Sequence, residues 1–443
     1  MLPAMQRKLE LDNSPALSAP LRFFASAPLF AIAAAGVLLW AGPDAFASRW
    51  SPYALALTHL VALGMLASTM IGAMIQIMSV AAGIRIASPV ASATAIHACL
   101  VLGTLLLAAA FACRAPALFA PAALLLGAAF LGFLLVCAIG FARHRRRMPA
   151  GAASVLRTVR IALLALAATV ALGTSLAFAL GGHLPFFSID LVDLHAAWGL
   201  AGWVGLLTIG ISFQLIPMFQ ATEPYPRIVT RWLGPCVFAW LVAASIVAVG
   251  SAGRFGFVAG VIRVALYVTY AAYATLTFYL LWTRKRPEAD TTTLFWRTAT
   301  ASVAGASVLW IVNASVGGRD VAITTGVLLT IGGAWSAING MLYKIIPFLL
   351  WYHAQKASDT AIPAMPKVKD MLPERIARRQ FFAHVAALLL LVAASVAPGA
   401  FARPAAVALG VSAGWLAVNM LGAWRRYAQV KRRVASSVLH LGA

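Results

Sequence analysis

Along this chain, polar residues come in short bursts separated by long stretches that hold almost none. The apolar stretches fall at roughly 22–42, 53–80, 89–112, 118–142, 156–181, 189–219, 231–250, 255–282, 297–316, 320–351, 380–398 and 403–424. Each is close to or above the ~20 residues that an α-helix needs to cross a bilayer. They are unbroken runs, without the alternation of a transmembrane β-strand. In hydrocarbon a backbone must satisfy its own N–H and C=O groups, and a helix does this within one segment. The pattern therefore predicts an all-α polytopic membrane protein of twelve spans, forming a single transmembrane domain over 1–443. A composition that is 62% hydrophobic and 10% charged agrees. The polar opening segment, MLPAMQRKLELDNS, precedes a run long enough to span, so no cleavable leader is expected.

The net charge of +22 raises the question of a nucleic-acid partner. Its distribution answers it. If both termini are cytoplasmic, 27 of the 34 Lys and Arg fall on inner segments, such as Arg143 to Arg147, Arg284 to Arg286 and Lys431 to Arg433. Five fall outside: Arg49, Arg114, Arg254, Arg319 and Arg403. This is the positive-inside signature of a multi-pass protein in a bacterial-type inner membrane. Basic residues spread over every inner loop suit anionic lipid and do not form the single basic face that nucleic acid requires. The four cysteines, Cys99, Cys113, Cys137 and Cys236, have no metal-ligand spacing and receive no role.

One phrase recurs. GAMIQIMSVA begins at Gly72, GISFQLIPMF at Gly210 and GMLYKIIPFL at Gly340. Each Gly is preceded eight residues earlier by another, at Gly64, Gly202 and Gly332, and followed four residues later by Gln76, Gln214 or Lys344. Ser79, Pro217 and Pro347 follow three residues further on. The three copies lie on spans two, six and ten, which divides the chain into three four-helix units at about 22–142, 156–282 and 297–424. The glycines let neighbouring helices approach closely, and the late prolines are expected to kink spans six and ten.

Twelve spans in three such groups resemble the catalytic subunit of heme–copper oxidases and nitric oxide reductases. Span one, PLRFFASAPLFAIAAAGVLLW, and span two, with His59 followed by LGMLASTMIGAMIQIMSVAAG, are also similar to the NnrS family of heme- and copper-containing membrane proteins linked to nitric oxide stress. The resemblance implies heme b and copper as cofactors. It also implies a role in redox chemistry or nitric oxide handling, and a periplasmic electron carrier or quinol as partner. In those oxidases the span-two histidine binds the low-spin heme and span six supplies a histidine to copper, which points to His59 and His195. The likeness is incomplete: span seven and the outer half of span ten carry no histidine, so a full dinuclear centre cannot be built.

The residues themselves lead to the same pair. His59 and His195 each lie about six residues below the outer surface, and a neutral imidazole is the usual axial ligand of heme iron. Each is also readable as a polar helix-packing residue without metal. His183, Asp190 and Asp193 could add outer ligands or orient His195, although a solvated loop accounts for His183 as well. His97 could bind metal or a neighbouring carbonyl; His353 and His384 read as interfacial anchors, and His144 and His440 as solvated. Arg263, at about the depth of the two histidines, would suit a heme propionate or Asp190 and Asp193; Arg403 would suit a propionate. No carboxylate sits at mid-membrane, which argues against a proton relay. The competing reading is a metal-free transporter or channel whose polar path runs past Gln76, Gln214 and Lys344. A third is an assembly subunit in which all these residues only pack helices.

Overall fold

A computed structural model describes residues 13–82, 84, 88–143, 153–250, 256–316, 320–356 and 367–441. Among the described residues there is no strand, and twelve helices are long and apolar enough to cross a membrane. They are, from span one to span twelve, Ser18–Phe46, Pro52–Val80, Pro89–Ala112, Pro116–Arg143, Ser154–Leu180, Ile189–Gln220, Arg227–Ala248, Gly256–Trp282, Thr291–Val316, Ala322–Lys356, Glu374–Val396 and Pro398–Arg433. The expected boundaries agree to within a few residues for most spans. The main differences are at spans eleven and twelve, whose helices run on through charged residues that hydropathy excludes, such as Arg375, Arg378, Arg425 and Arg426.

The last helix of each unit packs against the first helix of the next: span four on span five, eight on nine, and twelve back on one. The bundle therefore closes on itself. Spans two, six and ten are inside it, and the middle of span ten touches the middles of both others. Span two is the most buried of the twelve, with 78% of its apolar window inside.

The recurring glycines meet the first helix of their own unit. A methyl group on Gly72, Gly210 or Gly340 would lie 2.9 Å from Phe23, 3.1 Å from Thr158 or 2.7 Å from Phe295. The upstream glycines Gly64, Gly202 and Gly332 sit in the same way against Phe30, Ala165 and Ser302. On spans one, five and nine the two contact residues are seven apart, whereas the glycines they meet are eight apart. Seven residues make about two α-turns, so the second helix must absorb one extra residue over the same rise. It does so in three π-helical stretches of equal length, Leu60–Ala67, Trp198–Gly205 and Leu328–Trp335. Each begins twelve residues before the second glycine of its unit, and the first glycine is its fifth residue. Such wide turns are rare and concentrate at functional sites. Pro217 and Pro347 lie within helices that continue beyond them, to Gln220 and Lys356.

Candidate functional site

His59 is the residue immediately before the first wide turn, and His195 stands three residues before the second. Both therefore lie on central spans where the helix is about to widen. Their rings come together: the centroids are 6.3 Å apart and the planes differ by 14°. His59 Nδ1 is 2.7 Å from the carbonyl oxygen of Leu55, one turn earlier. His195 Nδ1 is 3.1 Å from the carbonyl oxygen of Thr169 on span five. A carbonyl can only accept, so both Nδ1 atoms carry the hydrogen and both Nε2 atoms keep a free lone pair.

The walls of this site come from spans three, four and five. The Phe111 ring lies nearly parallel to His59, at 5.3 Å and 20°, and Phe119 meets Phe111 edge-on at 4.9 Å. On the other side Gly173 leaves room for His195: a methyl there would lie 2.7 Å from its Cε1. Both imidazoles remain half-buried. Just beyond them, Arg49 in the loop before span two and Asp193 on span six form an ion pair of 2.8 Å. The Arg49 guanidinium also lies 4.2 Å over the Trp50 ring. The pair ties the ends of spans two and six together directly beside the histidines.

Several expected partners are elsewhere. His183 is exposed in the turn after span five, edge-on to Phe178 at 6.2 Å. No group of three or more His, Cys, Asp or Glu able to hold a metal occurs among the described residues. His195 is oriented by a backbone carbonyl, not by Asp190 or Asp193; Asp193 turns to Arg49, and the Asp190 N–H is capped by Ser188 Oγ at 3.2 Å. Arg403 lies over Gly42, with 3.4 Å between its guanidinium carbon and the place a Gly42 methyl would take. Arg263 lines a cavity of about 490 Å³ between spans six to ten, along with Asp190, Asp193 and Arg49. Neither histidine lines that cavity.

Two of the remaining histidines, His97 and His384, hold other groups. His97 Nε2 is 3.0 Å from Ser26 Oγ, and the ring also bonds the backbone of Arg22, so a serine hydroxyl joins the expected backbone partner. His384, expected at an interface, is fully buried with Nε2 2.8 Å from Ser336 Oγ. The side chains of His144 and His440 lie outside the described residues.

Gln76 and Gln214 line a small cavity of about 70 Å³ between spans two, six and ten, whose other walls are almost wholly apolar. Gln76 Nε2 donates to Ser14 Oγ at 2.9 Å. Lys344 does not line this cavity; its ammonium is 2.7 Å from Asp290, in the loop before span nine. Burial alone would raise the Asp290 carboxyl. The Lys344 charge and hydrogen bonds from Lys344 and from the backbone and hydroxyl of Thr293 outweigh it and hold the carboxyl below its ordinary range.

Sequence reading did not single out Arg49, Thr169, Gly173 or Phe111. Arg49 carried one signal, a basic residue on the side where the others are scarce. No protein-family model matches the chain, and no curated protein is similar to it.

Proposed function

We propose that this chain is a heme-binding membrane protein in which His59 and His195 hold one heme b from opposite sides, and that it acts in electron transfer. The observation that carries the reading is the ring geometry. The two rings lie side by side, 6.3 Å between centroids with their planes 14° apart, near enough for both imidazoles to serve one cofactor. The donors suit the group: both tautomers leave Nε2 bare, and each Nδ1–H bond to a carbonyl fixes its ring and raises its basicity.

Among the described residues the two histidines stand without a third ligand, which favours heme over copper, because heme carries its own nitrogen ligands while copper must take them from the chain. Bound heme supplies a one-electron couple. The chain's part is to set that couple through two neutral histidines and the apolar shell of Phe111 and Phe119. With both His59 and His195 committed to the heme, no protein-held position would remain for a gas, which supports electron transfer over nitric oxide or oxygen chemistry. The excess of basic residues in one set of loops supports an inner-membrane location with both termini cytoplasmic, which would put the histidines toward the periplasm.

The test is the dithionite-reduced minus oxidised absorbance spectrum of protein purified in mild detergent, with heme and copper assayed on the same sample. One heme per chain, reduced or lost in His59→Ala and His195→Ala, is expected. Protein made with ample heme that is nevertheless colourless would overturn the reading.

A further inference from the structure

The cavity of about 490 Å³ between spans six to ten opens where unit two is packed unlike the other two. In units one and three the last two helices lie closely along each other. Their counterparts, spans seven and eight, pack less closely and are the least buried of the twelve, each with 17% of its apolar window inside. The cavity occupies the wedge, with Leu241 to Ala248 of span seven on one side and Gly256 to Ala274 of span eight on the other. Its span-six wall, from Asp190 to Thr208, is about 25 Å long.

The walls change in character along that length. All four charged residues of the lining, Arg49, Asp190, Asp193 and Arg263, belong to the end where spans six and eight begin. Arg49 and Asp193 neutralise each other at 2.8 Å. Arg263 and Asp190 are left over: both are exposed, and neither side chain has an ion pair or hydrogen bond among the described residues. One turn deeper than Arg263, Tyr267 stacks on Trp310 at 4.5 Å and 15°. Its hydroxyl has no partner among the described residues either, and it stays accessible. The other hydroxyls of the walls are already satisfied. Thr208, Thr300 and Ser307 donate to carbonyls one turn back, Tyr270 to the Ala201 carbonyl and Tyr273 to Ser212 Oγ. The deep part of the cavity therefore needs no polar partner.

We infer that this cavity holds one zwitterionic glycerophospholipid, with its phosphate on Arg263, its ammonium on Asp190 and an acyl chain along the deep walls. A charge within a span is costly and is almost always paired, and a phosphate matches the planar fork of a guanidinium. Tyr267, about 5.4 Å further along the helix than Arg263, suits an ester carbonyl of the glycerol, which follows the phosphate toward the chains. Half of a bilayer core is about 15 Å thick, so a wall of about 25 Å takes a headgroup and a chain. An anionic lipid would leave Asp190 unmatched. A water-soluble zwitterion would leave the deep walls bare. A heme would lack an axial histidine, cysteine or methionine, since none lines the cavity. The site goes beyond the heme reading and does not depend on it.

The experiment is native mass spectrometry of the detergent-purified protein titrated with three probes: dioleoylphosphatidylethanolamine, dioleoylphosphatidylglycerol and the chainless glycerophosphoethanolamine. The wild type should take up one phosphatidylethanolamine saturably, in preference to phosphatidylglycerol, and no glycerophosphoethanolamine over the same range. Arg263→Gln should weaken that binding about tenfold, and Tyr267→Phe, which keeps the ring, about threefold. Asp190→Asn should weaken phosphatidylethanolamine alone and bring the two lipids level. His59→Ala should bind as the wild type does, so the heme reading can fail without this one. No saturable binding by the wild type would overturn the inference. So would a wild-type preference for phosphatidylglycerol, equal binding of the chainless headgroup, or binding unchanged in Arg263→Gln.

Discussion

Replacing Gly340 by alanine tests whether the three units are held by the glycine contacts. The added methyl would lie 2.7 Å from Phe295 Cβ and 3.3 Å from the Thr292 carbonyl oxygen. Carbon atoms pack best at about 3.5–4.0 Å, so spans nine and ten must separate by roughly 1 Å. The atom in the way is a Cβ, which cannot swing aside by a rotamer change, and Phe295 is itself fully buried. Separation also stretches the 3.0 Å hydrogen bond from Thr292 Oγ1 to the Gly340 carbonyl. Overpacking of this kind costs about 1–3 kcal/mol. The helical gain of alanine over glycine returns about 0.5–1 kcal/mol, which leaves a net loss of about 0–2.5 kcal/mol, toward the upper end here because a Cβ is the obstacle. The same methyl at Gly72 meets Phe23 at 2.9 Å and at Gly210 meets Thr158 at 3.1 Å, so the losses should rank Gly340, Gly72, Gly210. Gly36, with nothing within 4 Å, is the control, and Gly36→Ala should be neutral or slightly stabilising. Denaturant titration in mixed micelles, followed by tryptophan fluorescence, measures all four. A Gly340→Ala protein as stable as Gly36→Ala would refute the contact argument.

Other outcomes follow from the same structure. Asp290→Asn should destabilise by about 1–3 kcal/mol, below the ~3–5 of a fully buried pair because both partners keep some exposure, and Asp290→Asn/Lys344→Met should recover most of it. Because the folded carboxyl titrates below its unfolded range, the pair's contribution is complete above the ordinary value of 3.8 and disappears as pH falls through the folded value. An acid titration should therefore show Asp290→Asn losing less stability than the wild type at the lowest pH. Gly173→Ala pushes on the His195 ring and should lower heme content with little change in stability, read as heme per chain after purification. Arg49→Ala removes an ion pair about 40% exposed on both sides, so it should change stability by less than ~1 kcal/mol in the same denaturant titration.

Much of this fold was legible in the sequence because hydrocarbon imposes it. Long apolar runs have one available structure, and the repeated glycines marked the helices that must pack closest. The eight-residue spacing from Gly64 to Gly72 held the further sign of a wide turn, but only the seven-residue spacing of Phe23 and Phe30 on the facing helix gives that sign meaning. The same limit applies to the site. Depth along a span is a one-dimensional property, so His59 and His195 could be matched from sequence. The direction in which a side chain points around its helix depends on packing. Arg263 shares their depth, yet it faces the cavity on the far side of span six. Lys344 shares a motif position with Gln76 and Gln214, yet it turns to Asp290 because a buried ammonium needs a countercharge more than the pattern needs a third matching residue. The acceptors that fix the two imidazoles are backbone carbonyls of Leu55 and Thr169, which no residue identity announces.

The central claim is that two histidines on spans two and six share one iron. Electron paramagnetic resonance of the oxidised protein, compared with a His195→Ala variant that retains its heme, tests it most directly. The account predicts a low-spin ferric signal in the wild type, from two imidazoles in nearly parallel planes, and conversion to high spin when His195 is removed. A high-spin wild type, or a low-spin signal that His195→Ala leaves unchanged, would contradict it.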